Sequence, residues 1–217
     1  MKPTFIEFDY SSLSDPLNFF LSDGLIVPEH LQKAVEKRQI DFLVGRYCAF
    51  RALRDLGISP SERTLGTDKD RVPIWPTGVV GSITHTKDYG AAIAGSQTHF
   101  KGIGIDAELI IDNANDALAK HICVPQELET LSSKAEMDRR ELLTLVFSAK
   151  ESLYKAIFPS QRKFFGFQSA KVTSIDCSKN ELSIQLLSTI GTFRKGFSTQ
   201  VSYIFSEEMC QTRCLIT

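Results

Sequence analysis

The stretch Gly102-Ile-Gly-Ile-Asp-Ala-Glu-Leu-Ile110 constrains this chain more than any other. Its β-branched residues read as a buried strand, and along a strand successive side chains alternate faces. Ile103, Ile105 and Ala107 then share one face, and Asp106 and Glu108 share the other, side by side. Two like charges so close repel each other. Either a positive group lies between them or one carboxyl holds a proton. An isolated D-x-E is more often a strand end running into solvent, so the rest of the chain has to decide.

With 217 residues the chain is long enough for one large domain or two small packed halves. Residues 28–57 read as a long helix, with Pro28 suited to its start and Gly57 to its stop. Leu31, Val35, Phe42, Ala49, Leu53 and Leu56 recur at helical spacing. Arg46 and Arg54 lie about 80° apart around that axis, within reach of one ligand. Taken alone, this segment is more simply a solvated basic face. Residues 58–78 are polar and turn-rich, and two prolines around Trp75 point to a fixed extended loop. Val79–Thr86 and Tyr89–Ala94 read as two strands about a turn. Ser82, Thr84 and His85 place three donors near that turn, able to hold phosphate oxygens; a lone His there is usually structural.

Residues 111–140 carry few apolar side chains and read as a mobile surface insertion with two short helices, the second starting near Pro125. Residues 141–158 form a helix whose apolar stripe runs from Leu142 to Ile157. Glu151 lies about 160–170° from the centre of that stripe, with Lys155 one turn further on the same side. An exposed Glu–Lys pair explains this equally well. Residues 169–176, 182–188 and 199–206 read as a small antiparallel meander, preceded by Phe164, Phe165 and Phe167, which fit the core first and a partner face as the alternative. Residues 46–53 and 150–157 echo one another in residue type, a hint of two similar halves.

Several functions are excluded or disfavoured. The formal charge of −1 gives no bulk attraction to nucleic acid or to an anionic membrane. No apolar run approaches a membrane span, and the N-terminus lacks the apolar core of a signal peptide. The five cysteines form no C-x-x-C pair, which fits reduced thiols in a cytoplasmic protein better than a zinc site. The four histidines form no H-E-x-x-H helix.

Three motifs stand in order: Trp75 to His85, Gly104-Ile105-Asp106-Ala107-Glu108, and Phe147-Ser148-Ala149-Lys150-Glu151-Ser152-Leu153-Tyr154-Lys155. As a set they resemble the 4′-phosphopantetheinyl transferase superfamily, in particular its branch typified by Sfp and enterobactin synthase component D. The resemblance runs from about residue 28 to about residue 167. It implies an α+β fold of two pseudo-symmetric halves, about 1–100 and 101–217, each a long helix on a small antiparallel sheet, with the active site in the cleft between them. It implies a magnesium-dependent enzyme, with manganese as the alternative. The reaction implied is transfer of the 4′-phosphopantetheine arm of coenzyme A to a serine of an apo carrier protein (peptidyl, aryl or acyl), releasing adenosine 3′,5′-bisphosphate. Asp106, Glu108 and Glu151 would hold the metal. Glu151 would be the base and Lys155 would contact the phosphates. Arg46, Arg54, Lys69, Arg71, Thr84, His85, Asp106, Lys150 and Lys155 would bind coenzyme A. Residues 111–140 and nearby parts of the second half would dock the carrier. A cytoplasmic monomer serving secondary metabolism, such as siderophore, non-ribosomal peptide or polyketide synthesis, is the implied setting. Two rivals are weaker: a magnesium-dependent hydrolase of the coenzyme A pyrophosphate using the same three carboxylates, and a non-catalytic protein that binds coenzyme A or a carrier, which predicts a broken acid set whereas Asp106, Glu108, Glu151 and Lys155 are all present. Phe147 stands where the family more often has Trp and Ser152 where it more often has Ala, and Ala107 excludes a third ligand on the strand.

Overall fold

A computed structural model describes residues 2–60, 63–133 and 137–217. The chain divides into two compact units, Met1–Lys101 and Gly102–Thr217. Both combine helices with antiparallel sheet, an α+β architecture. Among the described residues no helix is long and apolar enough to cross a membrane.

In the first unit, β1 (Thr4–Asp9), β2 (Val79–Thr86) and β3 (Tyr89–Ser96) form an antiparallel sheet in the order β1-β3-β2. A short helix α1 (Pro16–Ser22) and the long helix α2 (Glu36–Asp55) cover it. The long helix starts later than the expected Pro28. Pro28 instead precedes a single 3-10 turn, Glu29–Leu31, and Val35 is extended at the true helix start. Gly57 does follow the helix end, with a positive φ of 78°. Leu43, Val44, Tyr47, Cys48 and Ala49 are buried, and Phe8 stacks on Phe19 while Phe20 meets Tyr47 edge to face beside them. Residues 67–73, expected as a plain extended loop, fold back on themselves so that Thr67 bridges Pro73. Ser61 and Glu62 of that turn-rich stretch lie outside the described residues.

In the second unit, β4 (Gly102–Leu109) is followed by α3 (Asp116–Ile122), α4 (Glu127–Ser132) and α5 (Arg139–Gln161). Then come β5 (Ala170–Asp176), β6 (Glu181–Leu186), β7 (Ser198–Phe205) and β8 (Met209–Ile216). The sheet order is β4-β8-β7-β6-β5, all antiparallel. The last strand therefore sits between the acid-bearing strand and the meander, pairing Gly102 with Ile216 and Leu109 with Met209. A capping box starts α5: Asp138 accepts from the amides of Arg140 and Glu141, and the Glu141 side chain accepts from Asp138 N–H.

The reading of residues 111–140 as a surface insertion is corrected here. Ala119, Ile122, Cys123, Leu128 and Leu131 are buried in the same core as Leu142, Leu145 and Val146 of α5. Truncating one such Leu or Ile costs about 2–5 kcal/mol. Arg139 and Arg140 at the start of α5 also bond the carbonyls of Ala114 and Ile111, holding the segment's first residues. Residues 134–136 of that stretch lie outside the described residues.

Candidate active site

The geometry of the site begins with two glycines. On β4 the even-numbered residues share the face turned to α5. A Cβ on Gly102 would sit 2.2 Å from the Ala156 carbonyl oxygen, and one on Gly104 would sit 1.8 Å from that of Ser152. Strand and helix backbones therefore touch, which only glycine permits. Asp106 and Glu108 are the next two residues along that face. Asp106 is 2% exposed, and its Oδ1 accepts from Lys155 Nζ at 2.8 Å. Lys155 and Glu151 are both half-buried, so they are not the solvated pair that helical periodicity alone allows.

The carboxylates act on one another. Burial and then the Asp106 charge push the Glu108 carboxyl up to about 7, with Glu151 adding and Lys155 opposing. Burial, then Asp106, raises Glu151 as well, again opposed by Lys155. The repulsion implied by D-x-E is thus present, and one ammonium offsets part of it. Among the described residues, no three His, Cys, Asp or Glu side chains stand ready-made as a metal cluster. The donor set nonetheless fits a hard cation: all donors are carboxylate oxygens, and Asp106 Oδ2 is buried with no hydrogen-bond partner among the described residues.

A cavity of about 200 Å³ adjoins this cluster. Its lining includes Glu151, Lys150, Tyr154, Phe164, Phe165 and Phe167. Of the three phenylalanines, only Phe165 is buried core; Phe164 is 77% exposed and Phe167 half-buried. Tyr154 stacks on Phe158 at 5.0 Å and lies 5.1 Å from the Phe165 ring.

Lys150 does not stand as a spare cation. Its ammonium donates to Glu127 Oε2 at 2.8 Å, to the Ile122 carbonyl at 2.9 Å and to the Phe167 carbonyl at 3.2 Å. Those contacts use the three donors an ammonium has. In the sequence Glu127 reads only as an acid in the first turn of a short helix, a reading that gives no sign of this pairing.

The remaining expected residues lie in the first unit. Arg46 is buried, its guanidinium 4.0 Å over the Phe42 ring and its Nε bonded to the Leu65 carbonyl at 3.1 Å. Burial, and then Arg38, lower its pKa to about 10. No carboxylate pairs with it among the described residues. Arg54 is exposed in the last turn of α2, so the two arginines occupy different environments. Lys69 and Arg71 are exposed on a tight turn that Asp68 closes, its Oδ1 accepting the amides of Asp70 and Val72 at 2.9 and 3.0 Å. Arg71 has a positive φ of 63°. Ser82 and Thr84 face one side of β2 and are buried, whereas His85 faces the other and is exposed, its Nδ1 3.9 Å from Asp41 Oδ1. The three do not form a single donor cluster.

Comparison with known proteins supplies the remaining information. Residues 27–95 match the model of the 4′-phosphopantetheinyl transferase N-terminal domain, and residues 102–207 match that of the 4′-phosphopantetheinyl transferase superfamily. The chain is 40% identical over 149 residues to 4′-phosphopantetheinyl transferase Npt of Nocardia iowensis, covering 67% of this chain and 64% of that protein. It is 34% identical over 146 residues to 4′-phosphopantetheinyl transferase PptT of Mycobacterium tuberculosis, covering 66% and 61%. It is 37% identical over 186 residues to enterobactin synthase component D of Salmonella typhimurium, covering 84% and 72%. The match thus spans less than two thirds of the Nocardia and Mycobacterium proteins.

Proposed function

The chain belongs to the 4′-phosphopantetheinyl transferase superfamily, and we propose that it transfers the 4′-phosphopantetheine arm of coenzyme A to a serine of an apo carrier protein. The observation that carries this reading is the meeting of Asp106, Glu108, Glu151 and Lys155 at one strand–helix contact, beside a mostly aromatic cavity.

The serine hydroxyl oxygen forms a bond to the phosphorus that bears the pantetheine arm. The bond from that phosphorus to the bridging oxygen breaks, and adenosine 3′,5′-bisphosphate leaves. Serine is a weak nucleophile until its proton is taken. Glu151 is the base: burial and then the Asp106 charge raise its proton affinity, which makes it a stronger proton acceptor than an ordinary carboxylate. Lys155 offers its ammonium to the leaving phosphate, and Asp106 holds it in place. Asp106, Glu108 and Glu151 would hold Mg2+, which when bound neutralises charge on the pyrophosphate. The aromatic cavity beside Glu151 suits the slender pantetheine arm. Arg46, a buried cation with no carboxylate partner among the described residues, is the strongest anion-binding candidate of the first unit, with Arg54, Lys69, Arg71, Thr84 and His85 as further contacts.

The carrier docks on α3–α4 and near Phe164, whose exposed ring borders the cavity. The relatives named enterobactin synthase component D favour carriers of siderophore or other non-ribosomal peptide synthesis. Five free thiols fit a cytoplasmic setting, and we take the protein to act as a monomer.

Intact-mass spectrometry of apo peptidyl, aryl and acyl carrier domains with coenzyme A and Mg2+ tests this reading. A gain of one phosphopantetheine, lost with EDTA and in Glu151→Gln, is the expected result. Free phosphopantetheine without carrier modification would identify a hydrolase instead. Coenzyme A binding with neither product would identify a binding protein.

A further inference from the structure

The pair Lys150–Glu127 lies outside the chemistry described above, yet it adjoins Glu151 and is almost wholly enclosed. The side chains are 2% and 0% exposed. Two ions moved out of water are costly unless their remaining donors and acceptors are satisfied. Here they are. Besides Lys150, Glu127 accepts Val172 N–H on Oε1 at 2.6 Å and Val124 N–H on Oε2 at 2.8 Å. With the two carbonyls bound by Lys150, one ion pair joins four pieces of backbone to α5: the end of α3 at Ile122, the turn at Val124, the cavity wall at Phe167 and strand β5 at Val172.

A second latch runs in parallel. Gln168, next to Phe167, shares the two N–H groups of its Nε2 among the carbonyls of Lys120, His121 and Cys123 at 3.1, 3.1 and 2.9 Å. Phe167 itself packs edge-on against His121 at 5.7 Å and lies tilted against Phe147 at 5.4 Å. The cavity wall is therefore held to α3 by Gln168 and to α5 by Lys150.

We propose that Lys150 and Glu127 are positioning residues, supported by Gln168, that fix the cavity wall and the α3–α4 segment against the helix carrying Glu151, and that Lys150 makes no contact with coenzyme A phosphates. The inference rests on the transferase reading for its kinetic consequence, since misplacing a base by about 1 Å costs up to about a hundredfold in rate. It replaces the phosphate-binding role that the motif resemblance implies for Lys150.

The test compares wild type with Lys150→Met, Glu127→Gln, the double variant and Gln168→Ala. Three quantities are read: kcat for carrier modification by intact mass, Kd for coenzyme A by calorimetry, and amide hydrogen exchange across 120–127 and 165–172. The expected result is a fall in kcat of about tenfold or more in either single variant, with Kd within about twofold of wild type. The double variant falls no further than the worse single one, because the two residues act as one unit. Gln168→Ala lowers kcat about threefold at unchanged Kd, and exchange rises in both segments in every variant. Tenfold weaker coenzyme A binding in Lys150→Met but not in Glu127→Gln would overturn the proposal, making Lys150 a phosphate contact. So would folded variants with wild-type kcat and wild-type exchange. Where a single variant fails to fold, the double variant and the surface change Gln168→Ala decide on the same readouts. A wild-type protein that modifies no carrier defeats the transferase reading alone; the exchange and Kd data still decide the positioning role.

Discussion

Lys155 Nζ lies 2.8 Å from Asp106 Oδ1, so a helix ammonium and a nearly enclosed strand carboxylate neutralise one another beside the glycine-mediated contact of β4 with α5. Removing the ammonium strands a charge that water barely reaches. Lys155→Ala is expected to destabilise the metal-free protein by roughly 2–3 kcal/mol, below the value for a fully buried pair because Lys155 is partly exposed. Added Mg2+ should restore more stability to this variant than to wild type, by mass action. Thermal melts with and without Mg2+ check this; equal metal-induced shifts in both proteins would count against Asp106 as a ligand.

Glu108 links stability to pH. Its carboxyl is pushed from an ordinary 4.5 to about 7 in the folded protein. Below about 4.5 both folded and unfolded chains are protonated there, and Glu108 has no effect. As pH rises from there the unfolded chain ionises first, so stability falls until the folded group ionises near 7 and is level above that. Because Glu108 is partly exposed, solvent screening reduces the effect to on the order of 1 kcal/mol. Relative to wild type, Glu108→Gln should therefore gain about that much in metal-free urea melts at pH 8 compared with pH 4.5. A pH-independent difference would rule the linkage out.

Gly104→Ala should be far more damaging than its size suggests. The added methyl meets the Ser152 carbonyl, and neither backbone can rotate away. A loss of at least about 3 kcal/mol, or no folded protein, is expected. Gly166→Ala, with open space around it, should stay within about 0.5 kcal/mol. Circular dichroism melts of the two variants give the comparison.

Arg46 should matter more to the ligand than to the fold. Its guanidinium is enclosed with a carbonyl and an aromatic ring, and burial already depresses its pKa to about 10. Arg46→Met should leave the melting temperature of the ligand-free protein unchanged or raised, and weaken coenzyme A about tenfold, a fold-change typical of one charge-assisted contact. Calorimetry on the folded variant reads both quantities; unchanged affinity would remove Arg46 from the binding set.

What the sequence discloses here follows local period. β2, β4 and the body of α5 are legible because alternation and helical spacing persist over a full element. The pairing of Asp106 and Glu108 on one face follows from the same rule. The start of α2 is not legible, because Val35 supplies no capping side chain and Pro28 imitates a start about two turns too early. Residues 111–133 mislead because helices of six and seven residues bury only two or three side chains each, too few for an average to register. Glu127 is hidden for a different reason: its partner lies 23 residues away, and no spacing rule encodes a tertiary ion pair. In β8, Cys210, Thr212, Cys214 and Ile216 alternate toward the core, a signal obscured when cysteines are considered only as thiols.

The pairing of β4 with β8 has a consequence for synthesis. The strand bearing Asp106 and Glu108 leaves the ribosome about a hundred residues before the strand that hydrogen-bonds it. At typical elongation rates that interval is roughly 5–20 s. Throughout it the carboxylates sit on an unpaired strand, and α5, made midway through the interval, has at first only part of its sheet to rest on. The carboxylate cluster is thus completed only once β8 has followed, after the helix that faces it has already been made.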